Sequence, residues 1–403
     1  MDFIKYRFIY YPVIFIAVIF LLDKIFLIPE MRQNFIQPGG MMYYSQRILQ
    51  LSYLKNFLEK DNQGKKVAVV MGDSRSFALG NIAAWFSGKK DWYLYNFAGP
   101  QAVPAYHFYL AQKIFSRQKR PEYLIIGLSP DGFNKNNPFF ANPVMAMGMD
   151  DRFIQKYSDV ILPKDREAYF NSRQFALMGM QFSFKVFLKR SAGTLGVDTV
   201  DKNEGIPIHM FPFVTDFIDK SYIGKKSRKN EFIRSFLNAP ADNYDQYSLA
   251  RSPQVKLLEM GDGANYSWFG TMGQTALKEE TEKLVGLYLK YYEVSESQLY
   301  FFRETLKLAR KSNTRVIVFW PRANPFLIDV YKKDKRIYEL WSEIERITEQ
   351  EGGTSIDLNK HPDTQCSSFY DASHLSIICY PAIAKTILNK LEKQGKLQEK
   401  IHK

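Results

Sequence analysis

Four short, continuous apolar runs constrain this chain more than any other feature. They are Lys65-Lys66-Val67-Ala68-Val69-Val70-Met71 between Gly64 and Gly72, then Trp92–Phe97, then Tyr123–Leu128 after Pro121, and Arg315–Trp320 stopped by Pro321. None shows strict polar–apolar alternation, so none has a wet face; each reads as a strand buried on both sides. Ser355-Ile356-Asp357-Leu358 is a shorter fifth strand. Between the runs lie stretches with helical spacing, roughly 75–87, 102–118, 295–312, 326–351 and 376–397. Buried strands alternating with helices predict an α/β fold, a doubly wound parallel sheet of about five strands with helices on both faces.

The rhythm fails between about 138 and 294, where Met-, Tyr- and Phe-rich helical segments and a loop at Gly261-Asp262-Gly263-Ala264-Asn265 intervene. This stretch is expected to be an inserted, mostly helical cap, splitting the sheet domain into 65–137 and 295–397. Residues 29–64 are a polar, partly helical connector. A chain of 403 residues accommodates this plan. At 46% hydrophobic and 24% charged it is an ordinary folding sequence, not a disordered one.

The start of the chain reads as an anchor. Lys5 and Arg7 precede an uncharged apolar run from Phe8 to Leu22, interrupted at Asp23-Lys24 and resumed at Ile25–Ile28. Tyr6 through Ile28 is 23 residues, about 34 Å of helix and enough to cross a bilayer. Lys24 would snorkel at the far interface, and Pro12 is tolerable in a membrane helix. A cleaved signal peptide is the rival reading, but Leu27-Ile28-Pro29-Glu30 lacks the small residues of a cleavage site. A buried helix is the third. Positive charge ahead of the run predicts a cytoplasmic start and an extracytoplasmic remainder, periplasmic in a bacterium. Cys366 and Cys379, the only two cysteines, would pair in an oxidising compartment; Cys379 sits in an apolar run and fits a buried free thiol equally well.

Candidate chemistry lies at the turns. Met71-Gly72-Asp73-Ser74-Arg75-Ser76 follows the first strand, where Ser74 is placed for nucleophilic attack, or alternatively caps a helix. Asp371-Ala372-Ser373-His374 follows the last strand; three-residue spacing lets Asp371 orient the His374 ring. Of the other histidines, His107, His209, His361 and His402, none falls in such a context. Arg75 and Arg322 follow the first and fourth strands at the sheet edge where α/β folds bind ligands, and either guanidinium suits a phosphate or carboxylate of substrate. A structural ion pair is the plainer alternative for both.

Together Gly72-Asp73-Ser74, Asp371 and His374 resemble the SGNH/GDSL superfamily of esterases and acyl-transfer enzymes. The resemblance implies a flavodoxin-like sheet and a Ser-His-Asp triad. Asn96-Phe97-Ala98-Gly99-Pro100-Gln101 matches the block that supplies an oxyanion glycine, so Gly99 N–H and Ser74 N–H become the expected donors. The third block departs from the family's Gly-x-Asn-Asp: it reads Gly127-Leu128-Ser129-Pro130-Asp131-Gly132-Phe133-Asn134, which leaves Asn134 or a backbone amide to stand in for the missing asparagine. That run is similar to the Ser-Pro-x-x-Phe block of membrane-anchored teichoic-acid D-alanyl transfer proteins, which also carry one anchor, an early serine and a late Asp-x-x-His-Leu. Trp320-Pro321-Arg322-Ala323-Asn324-Pro325 occupies the place of their post-strand proline block. The layout also resembles spirochaetal membrane-anchored families of unknown function in the same superfamily. The resemblance covers 65–137 and 312–394, not the insertion.

The expected protein is a membrane-anchored serine esterase or O-acyltransferase acting on a cell-envelope glycan, lipid or anionic polymer. By resemblance its partner is a membrane-bound acyltransferase. The alternative is a catalytically silent envelope-binding or assembly protein of the same fold. Gly-rich phosphate loops, His-Glu-x-x-His and paired Cys-x-x-Cys are absent, so no metal or cofactor is expected. The net charge of +13 suits an anionic partner. Nucleic acid is not expected: the basic run Lys220–Arg234 lacks any recognition motif and reads as solvated surface.

Overall fold

The computed structural model describes residues 7–28, 42–60, 64–175, 262–264, 268 and 270–401. The chain divides into two units, one comprising 1–42 with 141–209 and the other 43–140 with 210–403. The expected insertion, 138–294, is thus shared between them. The basic run at 220–234, His209, His402 and the loop residues Gly261 and Asn265 lie outside the described residues.

The second unit holds the sheet and, from Tyr43 on, helix α2 (Met42–Lys60). Its strands are β1 (Lys66–Met71), β2 (Trp92–Asn96), β3 (Tyr123–Gly127), β4 (Arg315–Trp320) and β5 (Thr354–Asp357), all parallel, in the order β2-β1-β3-β4-β5. This is the doubly wound order whose ligand crevice opens where the winding reverses, beside the carboxyl ends of β1 and β3.

Buried side chains of alternate parity line the two faces. Ala68, Val70, Leu94, Ile125, Ile317, Phe319 and Ile356 share a core with α3 (Asn81–Phe86) and the final helix, Tyr380–Ile401, whose Ile383, Ala384, Ile387 and Leu388 recur at helical spacing. On the opposite parity Val67, Val69, Leu124, Ile126, Val316 and Val318 are equally buried. Helices α4 (Pro104–Phe115), α7 (Glu296–Lys311) and α9 (Lys335–Gln350) complete the covering layers, α4 against α7 and α9 against β5. In α9 the buried Ile337, Leu340, Trp341, Ile344 and Ile347 give one apolar stripe.

Two expected helices differ in the structure. The stretch 75–87 is a 3-10 turn, Ser74–Ser76, followed by α3. Asp73 caps the turn, and Gly80 restarts the chain in extended geometry before α3. The stretch 326–351 is α8 (Pro325–Lys333) and α9, broken at Asp334, whose carboxylate accepts from Arg336 N–H and caps α9. Part of the insertion belongs to this unit: α6 (Gln274–Tyr288) and the short run Asp262-Gly263-Ala264, whose Asp262 carbonyl accepts from the Asn96 amide at the end of β2.

The other unit contains α1 (Arg7–Ile25) and α5 (Pro163–Gln174). Among the described residues no helix is long and apolar enough to cross a membrane, and α1 is 19 residues long where 23 were expected. Every side chain of α1 from Tyr10 to Leu22 is nonetheless exposed. Lys24 donates to the Gln174 carbonyl at 2.5 Å and pairs with Asp23 at 3.4 Å, fastening the end of α1 within the unit.

Candidate active site

The site is assembled at the carboxyl edge of the sheet. Gly72 follows β1 where there is room for nothing larger: an added Cβ would stand 2.2 Å from Ser76 Oγ and 3.1 Å from the Gly127 carbonyl oxygen. Gly127, at the end of β3, is equally confined, its Cβ falling 2.3 Å from Ser76 Oγ and 2.6 Å from Phe319 Cζ. Two glycines therefore let the loops after β1 and β3 close on one another. Asp73 then caps the turn, its Oδ1 accepting from Arg75 N–H at 2.8 Å, and Ser74 is the turn's first residue.

Ser74 Oγ lies 2.7 Å from His374 Nε2. On the far side of the ring, His374 Nδ1 is 2.8 Å from both oxygens of Asp371. A carboxylate only accepts, so the ring proton is assigned to Nδ1, and Nε2 is left to accept from the serine hydroxyl. Asp371 is itself fixed: its Oδ1 accepts from the amides of Ser373 at 2.7 Å and His374 at 2.9 Å. Burial alone would raise the Asp371 carboxyl. The hydrogen bond and charge of His374, with those two amides, outweigh it and hold the group below its ordinary range.

The loop carrying this pair is braced from several directions. Phe369 and Leu375 form an antiparallel bridge, and Ser376 N–H donates to the Ser368 carbonyl at 2.9 Å. Asn324 Nδ2, after β4, donates to the Ala372 carbonyl at 2.7 Å. A disulfide between Cys366 and Cys379 closes the base of the loop. Trp268, contributed by the insertion, lays its ring 3.9 Å from that of His374 between centroids, and its carbonyl accepts from Ile377 N–H at 2.9 Å. Phe77 stacks on the same indole at 5.5 Å.

The remaining expected residues are placed differently. Gly99 N–H, the expected oxyanion donor, is committed to the Gly72 carbonyl at 3.1 Å, joining the second loop to the first. Asn134 is buried away from the serine: its Nδ2 donates to the Tyr288 carbonyl at 2.7 Å, and its Oδ1 accepts from Asn136 and Glu293 amides. It clamps the third block to the insertion. Arg75 is buried in a cluster with two carboxylates, Asp73 at 2.8 Å and Asp131 at 2.9 Å, and Ser129 Oγ also donates to Asp73. Arg322 is half-buried after β4 and donates to the carbonyls of Asn359 at 3.2 Å and Cys366 at 3.4 Å. His107, within α4, is buried and held by that burial down to about 4, hence neutral. His361 caps the 3-10 turn Pro362–Thr364.

Sequence reasoning missed Trp268, the Asp131 partner of Arg75 and the Ser129–Asp73 bond. Asp131 and Ser129 stand two residues apart in the third block, a spacing that puts both near the first loop once β1 and β3 are known to be neighbours. Trp268 carries no such signal.

Among the described residues no group of His, Cys, Asp and Glu could hold a metal ion. The arrangement offers a hydroxyl hydrogen-bonded to an oriented imidazole, the relay that activates serine for attack at a carbonyl. No curated protein matches the chain. Residues 3–202 and 222–391 match the family described as protein of unknown function (DUF1574), and the chain belongs to that family.

Proposed function

We propose that the protein is an SGNH-type serine esterase or O-acyltransferase, with Ser74 as nucleophile, His374 as general base and Asp371 as the residue that orients it. The observation that carries this reading is the unbroken Ser74–His374–Asp371 relay, with contacts of 2.7 and 2.8 Å. Ser74 Oγ attacks an acyl carbonyl as His374 Nε2 takes its proton. The resulting imidazolium is stabilised by Asp371 and then returns the proton to the leaving oxygen. The acyl-enzyme passes its group to water or to a hydroxyl of a glycan, lipid or anionic polymer, by the same steps in reverse.

The exposed apolar surface of α1 from Tyr10 to Leu22 supports attachment to a lipid bilayer, because such a surface is unfavourable in water. The Cys366–Cys379 disulfide supports an oxidising, extracytoplasmic compartment for the sheet unit. By resemblance alone, the partner would be a membrane-bound acyltransferase. The second reading, a catalytically silent binding protein, is favoured by one observation, that Gly99 N–H is committed to Gly72.

Treatment of the full chain with a fluorophosphonate probe separates the two. The enzyme reading expects a covalent adduct on Ser74, absent in Ser74→Ala and much slower in His374→Ala. A wild type that stays unlabelled and does not turn over p-nitrophenyl acetate favours the silent protein.

A further inference from the structure

Beside the relay, at the carboxyl ends of β4 and β5, a small pocket is lined by Arg322, Ser373, Arg75 and Tyr380 over an apolar floor that includes Phe319 and Leu375. Its two arginines are in opposite electrostatic situations. Arg75 is neutralised by Asp73 and Asp131. Among the described residues Arg322 donates to two neutral carbonyls, at 3.2 and 3.4 Å, and to no carboxylate. The carboxylate whose charge it feels, Asp357, is engaged elsewhere: it accepts from Asn359 N–H at 2.9 Å and Asn359 Nδ2 at 3.0 Å, and pairs with Lys360 at 3.4 Å. Burial consequently lowers the Arg322 guanidinium from its ordinary value, with Asp357 opposing.

A half-buried guanidinium with no bonded counter-ion among the described residues has lost hydration and gained no ion pair there in exchange. Its planar fork fits a phosphate or carboxylate, and an apolar floor strengthens that attraction. Ser373 adds a hydroxyl donor from the residue next to His374, and its own amide is pinned to Asp371 at 2.7 Å. We propose that Arg322 and Ser373 form a subsite for an oxyanion, a phosphate or carboxylate group of the substrate, held beside Ser74 and His374. The subsite deepens the acyl-transfer reading, on which its placement relative to a reacting ester rests: it narrows the substrate to one whose acyl or acceptor part carries a negative charge.

The test is calorimetric titration of the full chain in detergent with inorganic phosphate and, separately, acetate. It uses the wild type, Ser74→Ala, Arg322→Gln, Arg322→Lys and Ser373→Ala. Wild type and Ser74→Ala should bind alike, Arg322→Gln should weaken binding by about tenfold or more, and Arg322→Lys and Ser373→Ala should fall between. Tighter binding of phosphate than of acetate assigns the subsite to a phosphate group, and the reverse order to a carboxylate. Binding of neither anion by the wild type overturns the proposal, as does unchanged binding by Arg322→Gln. If Arg322→Gln does not fold by circular dichroism, the other two variants decide: unchanged binding in both overturns it. Fluorophosphonate labelling is scored independently. Arg322-dependent binding without any labelling of Ser74 leaves the subsite standing and removes the serine-enzyme reading.

Discussion

Replacement of Arg75 by Met distinguishes a structural arginine from a substrate-binding one. The guanidinium is 8% exposed, Asp73 7% and Asp131 14%, so the cluster is largely out of water. With Arg75 present the three groups sum to −1; Arg75→Met leaves two carboxylates facing each other at −2, both desolvated. Breaking a buried pair by removing one partner costs about 3–5 kcal/mol. For a domain of this size that corresponds to a fall in melting temperature of roughly 6–20 °C. Asp131→Asn is the control. It leaves a one-to-one Arg75–Asp73 pair, and the amide oxygen still accepts from the guanidinium, so the expected loss is only about 1–2 kcal/mol. Thermal melts of the full chain followed by circular dichroism read both variants, and the double variant closes the cycle with a coupling energy between the two positions. An Arg75→Met protein that melts with the wild type, or no earlier than Asp131→Asn, would refute the reasoning. Lost affinity for an anionic substrate with unchanged melting would instead make Arg75 the ligand that its position after β1 first suggested.

Further predictions concern the relay and its supports. Asp371→Asn should slow labelling of Ser74 roughly a thousandfold or more, since an amide favours the wrong histidine tautomer; stopped-flow labelling with a fluorophosphonate measures it. Cys366→Ser, or reduction with dithiothreitol, opens a loop of sequence separation 13 that contains both Asp371 and His374. A stability loss of about 2–4 kcal/mol in urea denaturation and a parallel drop in labelling rate are expected. Glu392 tests acid sensitivity. Burial would raise its carboxyl, but hydrogen bonds from Lys89, Lys66 and Trp92 prevail and hold it down at about 2. A depressed carboxyl contributes stability above its ordinary value of 4.5 and loses it as pH falls towards about 2. Glu392→Gln should therefore melt earlier at neutral pH and show a flatter acid limb over that window.

The strands were legible because each is buried on both faces, which forces apolar side chains at consecutive positions and leaves a contiguous signal. Val67 through Met71 and Tyr123 through Ile126 are buried without exception. Helix limits were less legible where a cap decides them. Asp334 ends α8 and begins α9 through a bond to the backbone two residues on, and nothing in the apolar spacing marks that break. The Ser74, Asp371 and His374 positions were readable because turn geometry and three-residue spacing are local properties. Gly99 and Asn134 could not be placed in the same way, for the converse reason. Their expected roles depended on where an amide and a side chain point, and neighbours distant in sequence, Gly72 and Tyr288, take up those donors.

The altered third block acquires a physical explanation from the Arg75 cluster. In place of an asparagine facing the serine, the chain puts Ser129 and Asp131 at the end of β3, and both reach back to the first loop: Ser129 Oγ to Asp73, and the Asp131 carboxylate to Arg75 at 2.9 Å. Asp73 meanwhile caps the turn that begins with Ser74. The third block thus bears on Ser74 through its turn, by fixing the residue that caps it. Two carboxylates on one guanidinium leave that cluster at −1, so of the two arginines lining the pocket it is Arg322 whose hydrogen bonds, among the described residues, go to neutral carbonyls. On this view the departure from the asparagine pattern and the arginine after β4, which bonds no carboxylate among the described residues, belong together. On the acyl-transfer reading proposed above, one substitutes rigidity for a side-chain donor, and the other supplies the positive charge for an anionic group beside Ser74.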